Sequence, residues 1–313
     1  MGQTAEQGSH TRQGEPASWA AVDAAAFLTR PTTDDHKYSR GVLGLRTGSS
    51  AYPGAAVLGA EAAWRAGAGL VRFVPQRGDA PPPFGLPTPA AAVLAARPET
   101  VISWGGDPCD AWLLGSGTSA QRRSTAERQA LVALLAGQAP VVADAGAIDR
   151  ELLRAAGDRR APTIITPHAG EFARLWESLG QRPRPTRDAD AAAELAAQLG
   201  VAVLLKGSVT IAASPAGELF ESGPATPWLA TAGTGDVLAG ILGALVAAHA
   251  SAVRLDPELL APLGATAALL HDVAARIASG DDAQPASGRP VTALDVARAI
   301  PAAFERLGPR GAM

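Results

Sequence analysis

Apolar residues recur in two rhythms along this chain of 313 residues. Residues 70–74, 100–104, 111–114, 141–143, 163–165 and 201–205 form short runs that are apolar almost throughout, the pattern of strands covered on both faces. Between them, apolar side chains return every three or four residues over 54–66, 124–136, 167–179, 189–199, 234–248, 257–278 and 293–306, which predicts helices. Residues 209–213 and 218–221 flank a Pro/Gly turn and predict a hairpin. Short buried strands alternating with helices imply an α/β fold: a mostly parallel central sheet, helices on both faces, one domain. In such sheets ligands bind beyond the carboxyl ends of the strands, so the loops that follow strands are where chemistry is expected.

The ends of the chain differ from this body. Residues 1 to about 17 are polar, rich in Gly, Gln and Ser, and predict a disordered tail. Trp19, Val22, Ala26 and Phe27 then fall at helical spacing, predicting a short helix within an extension over residues 18–36. Residues 37–308 form the expected main domain, interrupted by a proline-rich loop at 79–89.

Composition narrows the function. The formal net charge is -3, with no basic stripe, which argues against nucleic-acid binding. No apolar run approaches a membrane span and the N-terminus has no secretory pattern, so a cytoplasmic protein is expected. The single cysteine, Cys109, cannot form an internal disulfide, and no Cys/His cluster suggests a structural metal. Of 27 basic residues only Lys37 and Lys206 are lysines, a bias that draws attention to both.

Five segments could carry chemistry. Gly233-Thr234-Gly235-Asp236 runs directly into an apolar helix. Glycines admit a ligand to the backbone, and the helix start offers free N–H groups to a phosphate. A carboxylate there would repel that anion, which makes sense if Asp236 removes a proton from an attacking hydroxyl. The structural alternative is an acidic first-turn residue favoured by the helix dipole. Lys206-Gly207-Ser208 follows the run 201–205, where a lysine can address a phosphate; a solvated hairpin lysine is the plainer reading. In Thr166-Pro167-His168-Ala169-Gly170-Glu171, Thr166 as N-cap and Pro167 as first helical residue explain the start of a helix, and His168 can be a ligand group or a surface histidine. Gly115-Ser116-Gly117-Thr118-Ser119-Ala120, with Asp144 downstream, approximates a dinucleotide fingerprint and raises the possibility of an oxidoreductase. Against it, about 100 residues precede the motif and no hydride-transfer pair follows. Finally, Thr47-Gly48-Ser49-Ser50 leads into an Ala-rich helix whose Ala55 and Ala56 suit either a ligand or close packing.

Taken in order, GSSAYPGAAVLGAEAAWRAGAGLVRF, LLGSG, VVADAG, TPHAGEFARL, LLKGSVTI and PWLATAGTGDVLAGILGAL, spread over about residues 37–245, resemble the ADP-dependent NAD(P)H-hydrate dehydratases of the ribokinase-like fold. The resemblance implies a repair lyase acting on (6S)-NADHX or (6S)-NADPHX, in which ADP (or ATP) phosphorylates the C6 hydroxyl and loss of phosphate restores NADH or NADPH. It implies Asp236 as base and substrate ligand, and Lys206, Gly207, Ser208, Val209, Thr210 and Gly235 as nucleotide ligands. Gly233, Thr234 and Gly235 would form the anion hole, and Ala55, Gly117 and His168 would hold the hydrated dinucleotide. It also implies Mg²⁺ as cofactor and a homotetramer. Three motifs depart from the usual pattern: G-P-G is Gly115-Ser116-Gly117, T-G-G-S-G-D is T-A-G-T-G-D, and D-A-D is Asp144-Ala145-Gly146, one carboxylate fewer. Relatives often carry an N-terminal epimerase domain, for which the residues before Lys37 are too few. A ribokinase-like kinase of a vitamin-like alcohol and a non-catalytic nucleotide-binding relative are the rival expectations.

Overall fold

The computed structural model describes residues 14–156, 161–180, 183–281 and 287–309. One sheet contains β1 (Ala17–Ser18), β2 (Val42–Arg46), β3 (Leu70–Phe73), β4 (Val101–Ile102), β5 (Ala111–Leu114), β6 (Val141–Ala143), β7 (Thr163–Ile165), β8 (Ala202–Leu205), β9 (Thr210–Ala213) and β10 (Leu219–Ser222). Their spatial order is β1-β10-β9-β8-β7-β6-β5-β2-β3-β4, with β9 antiparallel to both neighbours and every other pairing parallel. The helices are α1 (Ala21–Ala25), α2 (Pro53–Arg65), α3 (Pro89–Ala96), α4 (Thr125–Leu135), α5 (Arg150–Ala155), α6 (Ala169–Ser178), α7 (Asp188–Leu199), α8 (Thr234–Ala248), α9 (Ala250–Leu255), α10 (Leu260–Ser279) and α11 (Ala293–Leu307).

The continuous apolar runs have a direct structural reason. Leu113, Val142 and Leu204 face a core formed with α2, α8, α10 and α11, while their strand neighbours Trp112, Leu114, Val141, Ala143, Val203 and Leu205 face a second core under α4, α5, α6 and α7. Successive residues of a strand point to opposite faces, so a sheet covered on both sides needs apolar residues at every position.

Several expectations change. The central strand β2 and the helices α3, α5 and α9 were not predicted. In β2 the apolar run ends in Arg46, which is buried against Glu127 of α4 at 2.8 Å through Nε, a pairing invisible in sequence. The helix expected at 257 begins at Leu260, after a 3-10 turn over Pro257–Leu259. The helix expected from 167 begins at Ala169, and its N-cap is His168 rather than Thr166. Residues 1–13 of the expected tail lie outside the described residues. Its last residue, Ala17, lies instead in β1 opposite Phe220, and the Trp19 indole donates to Thr266 Oγ1 at 3.1 Å, so the extension is fastened to the sheet edge and to α10. Among the described residues no helix is long and apolar enough to cross a membrane.

Candidate active site

Strands β8, β7, β6, β5 and β2 are consecutive in the sheet, so the loops at their carboxyl ends form one continuous edge. Lys206 follows β8, Thr166 to His168 follow β7, Asp144 follows β6, Ser116 and Gly117 follow β5, and residues 47–52 lead from β2 into α2. Five of the sequence motifs therefore meet because of strand order alone.

The centre of this edge is Asp144, 2% exposed. Its Oδ1 accepts from Lys206 Nζ at 2.8 Å and Thr166 Oγ1 at 2.7 Å, and its Oδ2 accepts from Ser116 Oγ at 2.8 Å. Burial alone would raise its pKa; the Lys206 charge and these three hydrogen bonds outweigh that and hold it below the ordinary carboxylate value. Burial likewise opposes the charge on Lys206, but Asp144, Glu171 and Asp236 overcome it and raise the ammonium pKa. A buried ionised pair thus sits beneath the site. In sequence Asp144 stands out only within a dinucleotide-like pattern and the altered D-A-D motif, and Thr166 only as a cap. The signal that could have exposed them is their common position, at the ends of adjacent strands.

Asp236 is in the first turn of α8, behind Gly233, which is the N-cap with φ +88°. A Cβ on Gly233 would come within 2.6 Å of Leu58 Cδ1, so both the turn and its packing on α2 call for glycine. The first amides of a helix have no intrahelical acceptor and point outward with the positive end of the dipole. Desolvation, and then the negative charge of Asp144, push the Asp236 pKa up to about 6, with Lys206 pulling the other way. A carboxyl tuned to that value can exchange a proton near neutral pH.

Beside this charged group is a cavity of about 400 Å³. Lys206, Gly207, Ser208 and Thr210 line it from the β8–β9 turn, Thr234 and Gly235 from α8, and apolar residues including Pro227, Leu229, Leu238 and Ala268 complete the wall. Val209 is not in that wall; it is 40% exposed. Ala55 and Gly117 meet each other on the β2–β5 side: a Cβ on Gly117, whose φ is +66°, would lie 2.3 Å from Ala55 Cβ. Gly48 N–H donates to Ser116 O at 2.7 Å and Ser49 Oγ to Gly117 O at 2.8 Å, fixing the two loops together. His168 stands beside Lys206 in an isolated parallel bridge, with its side chain 56% exposed and its Nδ1 accepting from Gly170 N at 3.0 Å. Its visible work is to cap α6. A separate cavity of about 430 Å³ lies at the amino ends of β2 and β3, lined by Arg40, Arg65 and Phe304 among others, and contains none of the candidate catalytic or ligand-binding residues.

No group of three or more metal-ligating side chains occurs among the described residues. Both oxygens of Asp144 are already occupied by donors. The described residues alone therefore offer no cage for a divalent cation.

Comparison with known proteins agrees with this arrangement. A family model described as NAD(P)H-hydrate dehydratase matches residues 43–301. The bifunctional NAD(P)H-hydrate repair enzyme Nnr of Mycobacterium leprae is 40% identical over 235 residues, 73% of this chain and 45% of that protein. The chain thus spans about half the length of such bifunctional relatives. The ADP-dependent (S)-NAD(P)H-hydrate dehydratase of Xanthomonas campestris is 33% identical over 239 residues, 72% of this chain and 80% of that one. Among solved structures, the ADP/ATP-dependent NAD(P)H-hydrate dehydratase of Bacillus subtilis co-crystallised with ATP/Mg²⁺ superposes with TM-score 0.73 at 26% identity, covering 93% of this chain and 99% of that one. A ribokinase-like superfamily protein of Enterococcus faecalis superposes with TM-score 0.74 at 22% identity over 96% of this chain and 99% of that one, which supports the fold.

Proposed function

The chain belongs to the NAD(P)H-hydrate dehydratase family, and from that premise we propose that its residues 37–308 dehydrate (6S)-NADHX or (6S)-NADPHX at the expense of ADP. The observation that carries this reading is the Asp236 carboxyl, raised to about 6 at the start of α8 and coupled to a protonated Lys206 beside a nucleotide-sized cavity.

In this reading Asp236 takes the proton from the C6 hydroxyl of the hydrated ring. The hydroxyl oxygen then bonds to the terminal phosphorus of ADP, and the bond from that phosphorus to the AMP oxygen breaks. The amides of Gly233, Thr234 and Gly235 receive the charge that builds on the transferring group, and they are aligned in advance by the helix. Lys206 addresses the same phosphates, with Gly207, Ser208, Val209 and Thr210 forming the turn around the nucleotide. Cleavage of the C6–O bond expels phosphate, and loss of a proton from C5 to water supplies the electron pair that restores the ring double bond. Ala55, Gly117 and His168 hold the dinucleotide on the other side of Asp236; the small Ala55 and Gly117 and the joining of their loops support that division of the site. Mg²⁺ bound together with the nucleotide would offset charge on its phosphates, and because this ion keeps much of its water it would require few ligands from the protein. A cytoplasmic, homotetrameric enzyme completes the reading, as the family resemblance implies.

The test is the dihydronicotinamide absorbance of NADHX mixed with protein and Mg²⁺, with ADP, with ATP and without nucleotide. A nucleotide-dependent rise with release of AMP or ADP and inorganic phosphate is expected. A stable phosphorylated product, or a flat trace with folded protein, refutes the lyase.

A further inference from the structure

Among the described residues the cavity wall contains one buried side-chain atom without a hydrogen-bond partner. His271 of α10 is 6% exposed, lines the cavity, and its Nε2 makes no hydrogen bond among the described residues. Its neighbour Asp272 is fully engaged: Oδ1 accepts from Thr226 N at 2.7 Å and Oδ2 from Arg276 Nε at 2.8 Å. The imidazole is different. Burial, followed by the charge of Lys206, lowers its pKa to about 4, so it is neutral at physiological pH. The Thr234 backbone nearby works in the opposite direction, favouring the protonated ring, but does not overcome burial. In the neutral tautomer that carries its proton on Nδ1, the unpartnered Nε2 is a bare acceptor in the wall. A buried acceptor of this kind costs free energy unless a ligand supplies a donor.

Position selects the donor. The ring shares the cavity wall with Thr234 and Lys206 and lies within reach of the lysine charge, which places it toward the phosphate end, whereas Ala225, Pro227, Leu229 and Ala230 furnish an apolar wall suited to a flat base. The group of a nucleoside diphosphate that follows the phosphates is the sugar. We infer that His271 is a specificity-determining residue of the nucleotide site, accepting through Nε2 a hydrogen bond from a ribose hydroxyl of the phosphoryl donor.

This inference rests on the nucleotide reading proposed above, and one experiment separates the two. ADP and 2′,3′-dideoxy-ADP are titrated calorimetrically into the full chain and into His271→Ala and His271→Gln, with circular dichroism confirming the fold of each. Wild type is expected to favour ADP by about tenfold, the value of one hydrogen bond. In His271→Ala the two nucleotides become equal, while dideoxy-ADP binds as in wild type. In His271→Gln, whose amide oxygen can accept, part of the preference returns. Independently of any variant, the His271 Nε2 resonance of ¹⁵N-histidine-labelled wild type shifts on adding ADP and stays in place with inorganic pyrophosphate. An ADP preference that survives in His271→Ala, or an Nε2 resonance that ADP does not move, overturns the inference and leaves the nucleotide site standing. Loss of discrimination against inosine diphosphate instead assigns the ring to the base and overturns the ribose reading. Failure of wild type to bind either adenine nucleotide overturns the nucleotide site itself.

Discussion

Replacing Asp236 by Asn should abolish turnover and, at neutral pH, stabilise the fold. The carboxyl titrates at about 6 in the folded chain against 3.8 for the unperturbed group, so its folded pKa is raised by about two units. At ~1.4 kcal/mol per unit, the native state carries a penalty of ~3 kcal/mol whenever Asp236 is ionised. The sign follows from proton counting. Between pH 3.8 and 6 the folded chain holds a proton that the unfolded chain has released, so stability falls as pH rises through that window, and the penalty is constant above it. An amide has no charge to desolvate and no repulsion from Asp144, and should remove that penalty. Urea unfolding of wild type and Asp236→Asn at pH 7.5 should therefore differ by up to ~3 kcal/mol in favour of the variant, and the difference should vanish as pH falls below about 4. The dihydronicotinamide assay on the same samples should read no turnover, with nucleotide affinity retained. A variant that is equally or less stable at pH 7.5, or one that still turns over, would refute both the strain assigned to this carboxyl and its role as the base.

Asp144→Asn removes the anion under Lys206 and leaves a buried cation without its nearest partner, so a stability loss of about 3–5 kcal/mol is expected in denaturant titrations. The same change deletes a charge that raises the Asp236 pKa, so the acid limb of kcat/KM against pH should move to lower pH; a limb that stays in place would contradict the coupling. Gly146→Asp, which restores the commoner family motif, should weaken the protein rather than improve it. The new Cβ would lie 2.3 Å from Thr118 Oγ1 and 2.6 Å from Thr118 O, a crowding that costs about 1–3 kcal/mol, readable as a lowered Tm.

Much of the fold was legible because its strands are buried on both faces, and such strands announce themselves as unbroken apolar runs. The predicted helix over 234–248 matches α8 (Thr234–Ala248) residue for residue. Legibility failed where a tertiary contact overrides local pattern. β2 ends in a buried arginine whose partner, Glu127, is 81 positions away. Short helices such as α5, six residues long, have too few turns to establish a period. At the start of α6 two capping signals competed. Thr166 is by composition a good cap, but its hydroxyl is spent on Asp144, and the reciprocal bond between His168 N and Glu171 Oε2 at 2.9 Å makes His168 the cap instead. Only the location of Asp144 in space decides between them.

The same dependence on location explains why the motif residues were easier to recognise than the group that governs them. Gly117 and Gly233 are legible because a positive φ restricts each position by itself, and Asp236 because a carboxylate at the glycine-rich start of an apolar helix stands out. Asp144 is a residue of a different sort: its significance is the sum of three donors arriving from the ends of β5, β7 and β8. The altered motifs around it are consistent with this. Ser116 stands where a proline is usual and uses its hydroxyl on Asp144, while Gly146 backs onto Thr118 with no room for the second carboxylate. A further anion there would also add to the negative charge that Lys206 already balances, and would raise Asp236 further. These two departures from the common pattern therefore form one adjustment, in which a single well-bonded carboxylate holds the lysine charged and sets Asp236 between ordinary acid and neutral values.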